Sequence, residues 1–317
     1  MADRPGARQG GLGRPAAKGS AVRYTIPDVL VRYDPATDEA AQAPLVIDSP
    51  HSGSIYPADF RFAAPFALLR RAEDAFVDEL FAGAPRHGAA LLAALFPRSY
   101  IDANRHEAEI DLALLAEPWP HPVRATRRSA RGRGLVRRLV GPDLAVYDRR
   151  LGAAEVQARI ARYHRPYHAE LQDLLDRAHR RFGAVWHLDC HSMRPTGWAR
   201  GRGSPRDDFV LGDRHGATCE PEFTDLVCRS LVGLGYSVGL NRPFKGAELV
   251  RRHGRPAAGR HSLQIEINRR LYMDQGRIEK TAGFDRLAAD IDRLIAVVAD
   301  HARAGAARAQ STSPRPE

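Results

Sequence analysis

Cysteine is nearly absent from this chain: Cys190, Cys219 and Cys228 are the three among 317 residues. An odd count without CxxC spacing excludes a disulfide framework and a thiolate zinc cluster, and it fits a reducing cytoplasm. No apolar run approaches the roughly 18 residues that a membrane span needs. The opening segment, MADRPGARQGGLGRPAAKGSAV, lacks the apolar stretch of a secretory signal. Walker motifs are missing, as is a GxGxxG after a strand, and Gly201-Arg-Gly203 is too short to cradle a phosphate. The net charge of +10 sits largely in the first segment and in two arginine-rich stretches, 124–138 and 251–260. Those stretches lack the interleaved aromatics of a base-stacking surface, so no nucleic-acid partner is expected.

What is there suits a soluble enzyme. Apolar residues make up 44% and charged residues 27%, close to ordinary globular usage. Residues 1–23 and 304–317 are small, polar and proline-containing, and read as disordered tails around one folded unit spanning 24–303.

Pro44-Leu-Val-Ile-Asp-Ser-Pro-His51 is a buried-strand pattern that delivers His51 at its carboxyl end. Apolar spacing predicts an amphipathic helix over Phe66–Phe81, with Asp74 and Asp78 on one stripe beside Arg70. Two strands, 90–96 and 99–103, lead into Asn104-Arg105. A proline-, glycine- and arginine-rich excursion over 115–146 has weak periodicity and reads as substrate-covering loops. A helix over 151–182 should kink or split at Pro166. Val185–Asp189 is a strand with Cys190, His191, Ser192 and Met193 at its exit. Strands at 209–211, 236–240 and 262–267, a helix over 222–234 and a closing helix over 284–303 complete the pattern. Strands alternating with helices imply a three-layer α/β/α fold around a mixed, mostly parallel sheet.

Ligands gather beyond the carboxyl ends of strands in such sheets, where His51, Asn104-Arg105 and His191 can converge. Two neutral imidazoles, one carboxylate and a water make a catalytic zinc site, and Asp74 or Asp78 can supply the carboxylate. Taken singly, each histidine can equally cap a strand, and each aspartate can pair with Arg70 or Arg71 at the surface. His164 and His168 stand at i, i+4, but Pro166 between them spoils regular ligand geometry. Alternation sends Gln264, Glu266 and Asn268 to one strand face, opposite Leu263, Ile265 and Ile267. A glutamate inside a buried strand suits a general base beside a metal, or an ion pair with Arg269 or Arg105. Cys190 points away from His191 by the same alternation and reads as core.

The motifs SPHSG (49–53), DAFVDEL (74–80), SYIDANR (99–105), YHRPYHAEL (163–171), HLDCHSM (187–193), VLGDRHG (210–216), NRPFKG (241–246) and QIEINRRLYMD (264–274) resemble, in order, those of the N-formylglutamate amidohydrolase family. The likeness runs from Pro44 to about Arg303. It implies a zinc-exopeptidase-like fold, distantly related to zinc carboxypeptidases and acylamino-acid deacylases, and a Zn²⁺ cofactor. It implies His51, Asp74 and His191 as metal ligands, with Asp78 in reserve, and Glu266 as the catalytic glutamate. Asn104-Arg105 corresponds to the pair that grips a substrate carboxylate or polarises the scissile carbonyl. With Arg242 and Arg269, Arg105 would favour a small acidic N-acyl amino acid. N-formyl-L-glutamate, cleaved to formate and glutamate in amino-acid metabolism such as histidine degradation, is the implied substrate. Another N-acyl amino acid is the near alternative, and a non-catalytic polyanion-binding protein the distant one.

Overall fold

Short apolar runs with no polar partner of their own must be buried on both faces, and in this chain they form the middle of one eight-stranded sheet. The structure is a computed structural model describing residues 23–35, 41–141, 143–197, 204–205 and 207–312. Its strands are β1 (Arg23–Ile26), β2 (Leu30–Tyr33), β3 (Leu45–Ser49), β4 (Ala90–Ala94), β5 (Val185–Met193), β6 (Phe209–Gly212), β7 (Val238–Leu240) and β8 (Arg260–Asn268). Their order across the sheet is β1-β2-β4-β3-β5-β8-β6-β7. The central four, β4-β3-β5-β8, are mutually parallel, and β1, β2 and β6 pair antiparallel where they join. All carboxyl ends of the central strands therefore open on one edge, which is where a site can form.

Helices cover both faces, giving three layers. One face packs Ile47, Leu188, Cys190, Leu263, Ile265 and Ile267 against α2 (Val77–Leu80), α5 (Pro221–Gly233) and α7 (Gly283–Thr312). The other packs Val46, Leu92 and Val185 against α3 (Ala153–Arg159), α4 (Arg165–Phe182) and Leu249 of α6 (Glu248–His253). Cys190 is core, as alternation requires, and the three cysteines are free. No helix among the described residues is long and apolar enough to cross a membrane.

The helix expected over Phe66–Phe81 is broken into α1 (Phe66–Arg70) and α2. Tertiary partners take the backbone groups between them: Asp74 N–H donates to the His51 carbonyl over 2.9 Å, and Arg269 donates to the carbonyls of Arg71 and Glu73. Phe76, at φ 65°, turns the chain into α2. Asp74 and Asp78 consequently do not share a helical stripe. Residues 99–103 are a turn rather than a strand, closed by Tyr100 N–H to the Pro97 carbonyl at 2.9 Å. Strand β5 continues to Met193, so His191 lies inside it and not past its end.

Pro166 neither breaks nor kinks the long helical pattern outright. A π-turn over Ile160–His164 joins α3 to α4 and leaves Pro166 in the first turn of α4, where its missing N–H is harmless. At the carboxyl terminus α7 runs to Thr312, past the expected end at 303, because Ala306 is buried in the first core face. Residues 304–312 of the expected tail are thus helical, and 313–317, with 1–22 and Gly201–Gly203, lie outside the described residues. The 115–146 excursion carries a one-turn helix (Arg127–Ala130) and a short ladder of 139–140 with 144–145. Leu135, Val136 and Val140 anchor it in the second core face.

Candidate active site

His51 is the second residue past β3. Gly53, two residues further on in SPHSG, lets the chain double back, since a Cβ there would collide with the Phe96 carbonyl. On the neighbouring strands His191 and Glu266 stand in register, and alternation puts both on the face that carries Asp189 and Gln264. Asp74 arrives from the α1–α2 break.

His51 Nδ1 and His191 Nδ1 are 3.0 Å apart, and Asp74 Oδ2 lies 3.3 Å from the first and 3.0 Å from the second. All three side chains are buried. Each imidazole is oriented from behind by a carboxylate. His51 Nε2 donates to Asp102 Oδ1 at 2.6 Å, and His191 Nε2 is 2.7 Å from Asp189 Oδ1. A proton on His51 Nε2 leaves its Nδ1 lone pair facing inward; His191 Nε2, which also stands 2.8 Å from Asn104 Nδ2, does the same when its proton lies on the Asp189 side. Three electron-pair donors then converge on one point, where a metal ion, or a proton on His191 shared with Asp74, relieves the repulsion; against burial, Asp189 and Asp74 hold the His191 imidazole well above its ordinary value. Two imidazole nitrogens and a carboxylate oxygen, open on one side to a cavity, are the donor set of a catalytic zinc centre, so the residues present fit that ion. The burial-favoured neutral carboxyl is suppressed at Asp74: Arg98, with His191 and His51, holds it well below the usual carboxylate range.

Asp102 is a hub. Besides His51 it binds Arg98 at 3.0 Å, with Arg137 and Arg105 at 3.6 and 3.9 Å. Burial would raise its carboxyl, and these cations, Arg98 foremost, hold it well below the ordinary value instead. Glu266 has the opposite balance. Burial, with Asp74 and Asp189 nearby, pushes it up to about 7 against the pull of His191 and Arg98. Its partner is Gln264 Nε2 at 3.0 Å, rather than Arg269 or Arg105.

The sequence-predicted residues are thus brought together in part. His51, Asp74, His191 and Glu266 surround the mouth of one cavity of about 570 Å³, whose wall also includes Arg98, Arg105, Arg137 and Lys245. Asp78 stays outside the cluster, its backbone N–H donating to Ser52 Oγ at 3.2 Å. Asn104 backs the cluster: its Oδ1 accepts from Leu249 N–H at 2.9 Å, and its Nδ2 donates to Asp189 Oδ2 at 3.0 Å and lies 2.8 Å from His191 Nε2. Arg269 is spent on Ser192 Oγ, the Arg71 and Glu73 carbonyls, and Asp74 Oδ1 at 2.9 Å. Both position the cluster and neither has a fork left for a substrate. Arg242 is exposed and does not line the cavity.

His164 and His168 donate from Nε2 to the carbonyls of Arg105 and Ala103, each over 2.9 Å, so they fix the SYIDANR segment. Some arginines of the basic stretches are paired within the protein, as in Arg138 with Asp111, Arg251 with Glu248 and Arg260 with Asp176. Sequence reasoning passed over Arg98, Asp102, Arg137 and Asp189. Asp102 and Asp189 stand inside two of the quoted motifs, and alternation from His191 alone places Asp189 on the same face.

Residues 43–273 match the model of the family described as N-formylglutamate amidohydrolase. The N-formylglutamate deformylases of Pseudomonas aeruginosa and Pseudomonas putida are each 30% identical over 240 residues, spanning 74% and 73% of this chain and 84% and 82% of their own. A crystal structure of N-formylglutamate amidohydrolase from Ralstonia eutropha JMP134 is 47% identical, with a TM-score of 0.84, covering 88% of this chain and 99% of that one.

Proposed function

The chain belongs to the N-formylglutamate amidohydrolase family, and from that premise we propose that it hydrolyses the amide of N-formyl-L-glutamate to formate and L-glutamate, using a zinc ion held by His51, Asp74 and His191. The observation that carries the reading is the convergence of those three lone pairs beside Glu266, at the mouth of a cavity walled by guanidinium groups.

When bound, zinc supplies a Lewis acid that acidifies water and polarises a carbonyl. The chain's own residues do the rest. Glu266 takes a proton from the attacking water as its oxygen bonds to the formyl carbon. It returns that proton to the nitrogen as the C–N bond breaks, so one carboxyl serves as base and then acid. A carboxyl raised to about 7 by burial is poised for both roles near neutral pH. Asp102 holds His51 in the tautomer that presents Nδ1, and the Asp189 carboxylate, 2.7 Å from His191 Nε2, favours the same tautomer there. Arg105, whose Nη2 comes no closer than 3.9 Å to Asp102, keeps part of its fork for a substrate carboxylate or the developing oxyanion. The cationic wall favours a small acidic substrate and disfavours neutral ones. A reducing cytoplasm suits the three free cysteines.

A panel of N-formyl, N-acetyl and N-succinyl amino acids, read by amine release from the zinc-loaded enzyme, tests the substrate. N-formyl-L-glutamate should be the best of them. Preference for another acyl group would keep the hydrolase and replace the substrate, and release from none would overturn the reading.

A further inference from the structure

Arg137 belongs to the strap between Gly132 and Val146, and its neighbours fix its direction. Val136 is buried in the second core face, and Arg138 is turned outward to Asp111 by a 2.7 Å ion pair. The backbone is pinned on both sides: Asp102 N–H donates to the Leu135 carbonyl at 2.8 Å, and Val146 N–H to the Arg138 carbonyl at 2.8 Å. Arg137 therefore projects into the wall of the cavity that holds His51, His191 and Glu266. Its Nε is buried without a hydrogen-bond partner, and its Nη2 comes only to 3.6 Å from Asp102.

A half-buried guanidinium whose Nε has no partner and whose nearest carboxylate stands 3.6 Å away is costly unless something anionic completes it. Asp102 cannot, because its oxygens already serve His51 and Arg98. Arg105 and Arg98 add like charge nearby, which deepens the deficit. The part of Arg137 that can face the cavity is the guanidinium tip, since Nε is buried; Nη1 and Nη2 together form a planar fork that receives a carboxylate through two parallel hydrogen bonds. N-formylglutamate has two carboxylates, and Arg105 provides for one of them.

The geometry points to Arg137 as the specificity-determining residue that receives the side-chain carboxylate of the substrate, leaving the α-carboxylate to Arg105. The inference rests on the deformylase reading above for the identity of the reaction, though not for the existence of the dicarboxylate site.

The test compares wild type with Arg137→Gln and Arg137→Lys on N-formyl-L-glutamate and on its neutral isostere N-formyl-L-glutamine, both with zinc-loaded enzyme. Arg137→Gln should lower kcat/KM for the glutamate substrate about 100-fold, chiefly through KM, as expected for loss of a bidentate charged pair. The loss on the glutamine substrate should be at least about tenfold smaller, with zinc content measured separately to show that the variant folds and holds its metal. Arg137→Lys should recover part of the loss. Equal losses on both substrates, or no loss on either, would overturn the assignment. Calorimetry with glutarate and butyrate separates this from the reaction itself. If the enzyme released formate from neither substrate, the deformylase reading would fail. Tighter binding of glutarate than of butyrate, abolished by Arg137→Gln, would still support the site, and unchanged discrimination would sink it.

Discussion

His51 Nε2 donates to Asp102 Oδ1 over 2.6 Å, and that bond decides which nitrogen of the imidazole faces His191 and Asp74. The catalytic constellation thus depends on a residue that touches neither metal nor substrate. Asp102→Asn keeps the shape and removes the charge that both fixes the tautomer and offsets Arg98. Zinc affinity should fall about 10–100-fold, the usual consequence of losing such a supporting carboxylate. Competitive titration against a chelator measures it, and unchanged affinity would show that the histidine is oriented by other means.

Glu266→Gln preserves size and the contact with Gln264 while removing the proton acceptor. The account expects kcat to drop by about 10²–10⁴, the range for general acid–base catalysis, with zinc content unaltered. A loss under tenfold in steady-state assays would remove Glu266 from the proton-transfer role.

Burial raises Glu266 to about 7 in the metal-free protein. The base works as the carboxylate, so kcat/KM should rise with pH along an acid limb. Added positive charge nearby favours the carboxylate, which sets the midpoint at or below about 7. The stability sign is the reverse. Relative to an unfolded value near about 4.3, ionisation in the fold is penalised, so metal-free stability declines as pH climbs from that value through about 7. Metal-free Glu266→Gln, neutral at every pH, should therefore melt above wild type at pH 8, with the gap closing toward pH 5. A gap that grows on acidification would contradict the assignment.

Arg269 is 4% exposed and ties Asp74 to β8 while capping two carbonyls of the α1–α2 break. Arg269→Met strands those acceptors, and denaturant unfolding should register a loss of about 3 kcal/mol or more, as for breaking a buried charged pair. Lysine, a point charge without the fork, should rescue only part of it. Wild-type stability in the methionine variant would mean that the break is held by other contacts.

Much of this was legible beforehand, for reasons that particular residues make clear. The runs at Leu45–Ser49 and Val185–Leu188 read as buried strands, and two-residue alternation separates His191 from Cys190 and Glu266 from Ile265, while the shared side of His191 and Glu266 comes from their register in the sheet. The break at Asp74 is not legible that way. Local spacing favours a helix through it, and the bonds that stop the helix come from Arg269, 195 residues away along the chain, and from His51. Arg98 and Arg137 were hidden for a related reason. In a chain this basic an arginine beside proline or among other arginines reads as solvated surface, and only the packing of Leu135, Val136 and Val140 turns the strap inward.

The central claim is that His51, Asp74 and His191 hold a zinc ion on which deformylation depends. The most direct measurement is formate release from N-formyl-L-glutamate by chelator-stripped protein titrated with zinc, with metal content read in parallel. The account predicts negligible release at zero zinc and a linear rise that saturates at one equivalent. Full activity in the stripped protein, or none after one equivalent has bound, would contradict it.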